Sequence, residues 1–205
     1  MSNDTNRSGQ DASGGTEHSE DAVLDALRHI LSQSEAARSA LATTLREGGT
    51  AVGTIAGVRS EDVVVEGERP GLAGLDEEGV VRVLVQPVLW AGLSQGQPNG
   101  YFKGLPLDRP AALLFVAPAA RLARLWPELC RRADEQFTII GATTPGDLRA
   151  ATVSGGERRL MLTSWDALLG LMERVVSVAG DGEAEIGVGQ LRELIDRMDA
   201  ETCWP

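Results

Sequence analysis

The sequence predicts an α/β fold of the α+β kind, a single mixed sheet that starts antiparallel and carries helices on both faces. Three observations lead there. Short β-branched runs follow one another before residue 90, a helical pattern follows them, and later apolar runs of strand length alternate with amphipathic helical stretches. Antiparallel strands followed by a crossover helix and a further strand give a mixed sheet.

Residues 1–20, MSNDTNRSGQDASGGTEHSE, are polar and lack a basic cluster followed by an apolar run. They read as a disordered tail, neither leader nor anchor. From Asp21 to Arg46, Val23, Leu24, Leu27, Ile30, Leu31, Ala37, Leu41 and Leu45 recur at helical intervals, and Gly48-Gly49 ends the run. That is one amphipathic helix. A first strand spans Val52 to Val65, bent at Gly53 and Gly57, and a second spans Pro70 to Leu75. Asp76-Glu77-Glu78-Gly79 is a turn, and Val80 to Leu89 is a third strand, apolar enough to be buried on both faces.

Ser94 to Leu105 reads as a helix, with Pro98 tolerated in its first turn. Ala111 to Val116 is a strand, and Pro118 opens a helix that runs through Arg132. Phe137 to Gly141 is a further strand, and ATVSGGERRLMLTSW is a hairpin turning at Gly155-Gly156. Ser164 caps a helix from Trp165 to Val178, because its hydroxyl can accept from free amides and Asp166 suits the dipole. AGDGEAEIGVG then reads as a Gly-rich acidic linker before a last helix, Gln190 to Ala200. The chain thus divides into a tail (1–20), a domain (21–180), and a linker with its terminal helix (181–205). No internal repeat is visible.

Across 205 residues the net charge is -11. Much of it lies at the ends: residues 1–20 hold four acids against Arg7, and residues 181–205 hold seven against Arg192 and Arg197. A near-neutral body between acidic ends lacks the long-range attraction of a dedicated nucleic-acid binder, though it leaves room for a local basic groove. Charge therefore favours a protein partner over nucleic acid. No segment approaches the roughly 20 apolar residues of a membrane span. Cys130 and Cys203 show no repeated spacing, which fits reduced thiols and a cytoplasmic location. Lys103 is the only lysine, so a reaction that needs an amine must use it.

The stretch RPGLAGLDEEGVVRVLVQPVLWAGLSQGQPNGYFKGLP, followed by PAALLFVAPAARLARLWPEL, resembles a bacterial branch of the PD-(D/E)XK nuclease superfamily, the restriction-endonuclease-like fold. Members resembling it carry Arg-Pro-Asp-Leu, a turn, a strand ending Glu-x-Lys-x-Trp-Ala-Gly-Leu, and a helix containing Gln-Pro. The framework is matched closely from Glu68 to Arg132. The chemical positions are not, since the family's Asp falls on Gly71, its Glu on Gln86 and its Lys on Val88.

Such a site needs carboxylates to hold Mg²⁺, a metal-bound water and a cation near the developing charge. Gly71, Gln86 and Val88 supply neither anion nor cation, so the resemblance implies a nuclease-like protein without its reaction centre. It would act as a binding or regulatory module with no cofactor. A second reading keeps a Mg²⁺-dependent endonuclease, with Lys103 moved onto the following helix and acids drawn from Glu61, Glu66, Glu68 or Asp76. A third is an acidic protein-binding module of a defence system.

Several residues have plainer roles. Gln97 matches a position often occupied in the family, yet Gln97-Pro98-Asn99 also reads as a polar helix start. Trp90 and Trp126 read as packing residues rather than base platforms. Arg121, Arg124, Arg131 and Arg132 read as the solvated face of a helix rather than a phosphate patch. Gly155-Gly156 and the glycines of Gly187 to Gly189 read as turns, and Asp76-Glu77-Glu78 as a charged hairpin tip.

Overall fold

The computed structural model describes residues 13–60, 71–89, 92–143 and 146–202. Two helices come first, α1 (Ser13–Gln33) and α2 (Glu35–Glu47). The meander follows as β1 (Gly57–Arg59), β2 (Leu72–Leu75) and β3 (Val81–Pro87). A short helix, α3 (Asn99–Phe102), crosses to β4 (Ala111–Ala117), and a 3-10 turn leads into α4 (Leu122–Asp134). Then come β5 (Ile139–Thr143), β6 (Leu148–Val153), β7 (Arg158–Ser164), α5 (Trp165–Ala179) and α6 (Gly182–Thr202).

The seven strands form one mixed sheet in the order β1-β2-β3-β4-β7-β6-β5. Its central pairs β3/β4 and β4/β7 are parallel, and the outer pairs are antiparallel. β4 lies at the centre, and all seven of its residues are buried, as expected of a strand covered on both faces. The period-two alternation divides the core. Ala112, Leu114 and Val116 join Val83 and Val85 under α1, α2, α5 and α6, whereas Leu113 and Phe115 join Leu84 under α3 and α4.

Three helices differ from the sequence expectation, each for a local reason. The single helix over 21–46 is two, because Ser34 takes an extended backbone (φ -114, ψ 117) and its hydroxyl accepts from the Ala37 amide. The first begins at Ser13, so Ser13 to Glu20 are helical where a tail was expected; the rest of that tail lies outside the described residues. α3 is four residues rather than twelve. Turns occupy residues 95–98, where the Gln97 side chain accepts from the Ser94 amide, and Gly104 and Pro106 follow the helix closely.

The expected acidic linker is the first half of α6, so Gly187 to Gly189 are helical and not turns. A Cβ on Gly187 would lie 3.1 Å from Ile30 Cγ1, so this glycine lets α6 pack closely on α1. Asp181 caps α6 by accepting from the Ala184 amide, and it also accepts from the Ser34 hydroxyl at 2.6 Å. One short chain of hydrogen bonds therefore joins the starts of α2 and α6.

The remaining elements agree with the expectation to within a few residues, except that β1 is only three residues long and residues 61–70 lie outside the described residues. No helix among the described residues is long and apolar enough to cross a membrane.

Candidate functional site

The sheet places Gly71 and Gln86 together. Antiparallel pairing of Leu72 with Val85 sets Gly71 opposite Gln86, and the Gly71 N–H donates to Gln86 Oε1 at 3.0 Å. Gln86 Nε2 in turn donates to the Pro87 carbonyl at 3.0 Å. An amide suits this place because one neighbour can only donate and the other can only accept. A carboxylate would set an anionic oxygen against the Pro87 carbonyl.

Gly71 is closely enclosed. A Cβ there would lie 2.8 Å from the Val85 carbonyl oxygen and 3.0 Å from both Leu24 Cδ1 and Pro87 Cδ. Val88 is 3 % exposed and belongs to the apolar cluster under α3 and α4, and its N–H donates to Val116 O at 2.9 Å. These three positions offer a hard dication a missing side chain, a neutral amide already bonded on both sides, and a buried isopropyl group. They do not fit Mg²⁺. Among the described residues no group of three or more His, Cys, Asp and Glu side chains is placed to hold a metal.

Pro87 is accommodated by position. Amide directions alternate along a strand and the Val88 N–H faces β4, so the N–H that Pro87 lacks would face the β2 side. Among the described residues the β2–β3 ladder ends at Leu72 with Val85, so Pro87 interrupts no bond of that ladder.

Lys103 caps the end of α3 and is exposed. The preceding Phe102 carbonyl accepts from Arg158 at 3.0 Å, and Arg158 pairs with Ala111 at the start of β4. Gln86 pairs instead with Phe115, four residues further along, or about 13 Å at the ordinary strand rise. These contacts tie the lysine's helix to the other end of the sheet. Gln97 is 8 % exposed and donates to the Tyr101 hydroxyl at 2.8 Å, which makes it part of the packing between loop and helix. Asp76 likewise serves the β2–β3 turn: it accepts from the Glu78 and Val80 amides and pairs with Arg82 at 3.3 Å. Those bonds, the Val80 amide first, hold its carboxyl below the usual range. Glu61, Glu66, Glu68 and Trp90 lie outside the described residues. Trp126 is 3 % exposed, a packing residue as expected.

The sequence reading passed over Glu20. Its carboxylate accepts from the Leu89 N–H at 2.9 Å, just beyond the end of β3, while Arg121 donates to the Leu89 carbonyl. Glu20 stands three positions before Val23, so extending the helical period backward would have found it.

Beside this clamp, outside the carboxyl ends of β3 and β4, lies a groove of about 690 Å³. It is lined by Leu93, Arg121, Arg124, Leu125, Glu128 and Arg132, among others. Ligands of open α/β sheets gather at such ends. The arginines expected on a solvated face divide into two groups. Arg132 reaches the Leu93 carbonyl at 3.3 Å and Glu128 at 2.7 Å, and Arg131 bridges Glu128 and Glu135. Hydrogen bonds from Arg131 and then Arg132 bring Glu128 down to about 2, so it stays anionic. Arg124 is exposed, with no ion pair or hydrogen bond to the described residues. Compared with protein-family models, curated proteins and solved structures, the chain matches none of them.

Proposed function

We propose that the protein is a nuclease-like scaffold without phosphodiester chemistry, acting as a binding or regulatory module. The observation that carries this reading is the pairing of Gly71 with Gln86. The two positions that the PD-(D/E)XK resemblance assigns to metal-binding acids meet across β2 and β3, where a backbone-to-amide hydrogen bond joins them. The order of two helices, a three-stranded meander, a short helix, a parallel strand and a helix is consistent with a restriction-endonuclease-like core.

Charge-stabilising groups at such a centre are each worth about 10² to 10³ in rate, and groups that act as a unit do not add simply. Without all three, hydrolysis has no support from the protein. Purified full-length protein is expected to leave duplex DNA, single-stranded DNA and RNA intact with Mg²⁺ or Mn²⁺. Cleavage that disappears in Gln86→Ala or Lys103→Ala would overturn the proposal in favour of an endonuclease with migrated residues. The acidic module of a defence system overlaps with the binding reading and differs only in its partner.

A further inference from the structure

The sheet ends at β5, whose only strand neighbour among the described residues is β6. Gly141, Ala142 and Thr143 are exposed, and Ile140 is 56 % exposed. Residues 136–146 carry no charged side chain. The opposite edge, β1, is three residues long and includes Arg59. An open, uncharged and partly apolar edge is a template for pairing with another chain, so β5 is the edge that needs protection. Two features interrupt the template. The Ser154 N–H donates to the Thr138 carbonyl at 3.0 Å, so by antiparallel alternation the Ile139 N–H points away from β6. It donates instead to Asp134 Oδ1 at 3.2 Å. Asp134 is the last residue of α4, where the negative end of the helix dipole disfavours an acid. The amide it covers, and not the helix, accounts for it. Further along, Ile140 pairs with Thr152 and Thr143 with Ala150, so Gly141 (φ 62) and Ala142 together stand opposite Ala151. Such a bulge bends the strand and breaks its ladder.

We infer that Asp134 guards the β5 edge against pairing with a second copy of this chain. Its carboxylate occupies the outward Ile139 N–H and sets an anion where the carbonyl of an incoming strand would have to lie. The bulge at Gly141 and Ala142 shortens what remains of the edge. A second copy is the partner to exclude, because it brings the same open strand and a two-fold arrangement makes the two strands self-complementary. The chain's net charge of -11 opposes approach least along an uncharged run, so general repulsion does not protect this edge and a local guard is needed. The inference concerns the edge of the sheet remote from β2 and is independent of the nuclease-like reading.

The test is sedimentation velocity of the full chain from micromolar to near-millimolar concentration, comparing the parent with Asp134→Ala, Asp134→Ala/Ile140→Lys and Asp199→Ala. The parent is expected to stay a monomer. Asp134→Ala should reach at least twice the mass of one chain while still unfolding cooperatively in urea. Adding Ile140→Lys should return it to a monomer, because a lysine on a strand edge opposes pairing. Asp199→Ala, an equal charge change at an exposed position on α6, should remain monomeric. A monomeric Asp134→Ala, a parent that already self-associates, association that survives Ile140→Lys, or equal association of Asp199→Ala would overturn the inference. So would loss of cooperative unfolding in Asp134→Ala, which would make the residue a support of the fold and not a guard of its edge.

Discussion

At residue scale, the contest at the end of β3 is between an amide and a carboxylate, and between no side chain and any side chain. Gly71 has no space: a Cβ would come within 2.8 Å of a main-chain oxygen, which cannot swing aside. Gly71→Ala is expected to cost about 1–3 kcal/mol, the usual range for overpacking, and Gly71→Asp at least as much. Urea denaturation measures both. Introducing together the Asp, Glu and Lys that the PD-(D/E)XK resemblance expects at Gly71, Gln86 and Val88 should therefore damage the fold before it creates any chemistry, and Val88→Lys adds an unpaired charge to an apolar cluster at a cost of several kcal/mol. Gln86→Glu carries a pH signature. The introduced carboxylate would face the Pro87 carbonyl, so its folded pKa lies above the unfolded value of about 4.3. Its destabilisation is full above the folded pKa and vanishes as pH falls below about 4. A stability deficit that does not shrink on acidification would refute this account.

At the scale of elements, the starts of α2 and α6 are one device. Ser34 accepts from the Ala37 amide and donates to Asp181, which accepts from the Ala184 amide. The Ser34 hydroxyl first, and the Ala184 amide second, hold the Asp181 carboxyl below its ordinary value. A carboxylate with a depressed folded pKa stabilises above its unfolded pKa of about 3.9, and that contribution is lost as pH falls through the folded value. Asp181→Asn should accordingly be less stable than the parent at pH 7, and the difference should close in acid. Ser34→Ala removes a buried N-cap and is expected to cost about 0.5–2 kcal/mol at neutral pH. Thermal melts across the acidic range test both. Local sequence gave good notice of Ser164 as a cap, since a single apolar run followed it. It hid Ser34, because the apolar period on either side continues in phase.

At the scale of the molecule, the acidic C-terminal helix α6 is not an appendage. Val23, Leu27 and Ile30 of α1 share a buried cluster with Val188, Leu191 and Ile195 of α6 and with α2 and α5. Deleting residues 182–205 should uncover that cluster and abolish cooperative unfolding, as seen by circular dichroism and denaturant titration. A truncated chain that still melts cooperatively near the parent's midpoint would show α6 to be dispensable. The sequence alone determined the mixed sheet, the meander, the crossover and the identities of Gly71, Gln86 and Val88, because strand periodicity, turn residues and side-chain charge are local properties. Only the tertiary structure decided that α6 starts at Gly182, that Glu20 reaches Leu89, and that Arg124 makes no hydrogen bond or ion pair to the described residues while Arg132 is engaged. Those outcomes depend on which backbone groups and helices approach across the sheet, and contacts between distant segments leave no period in the chain.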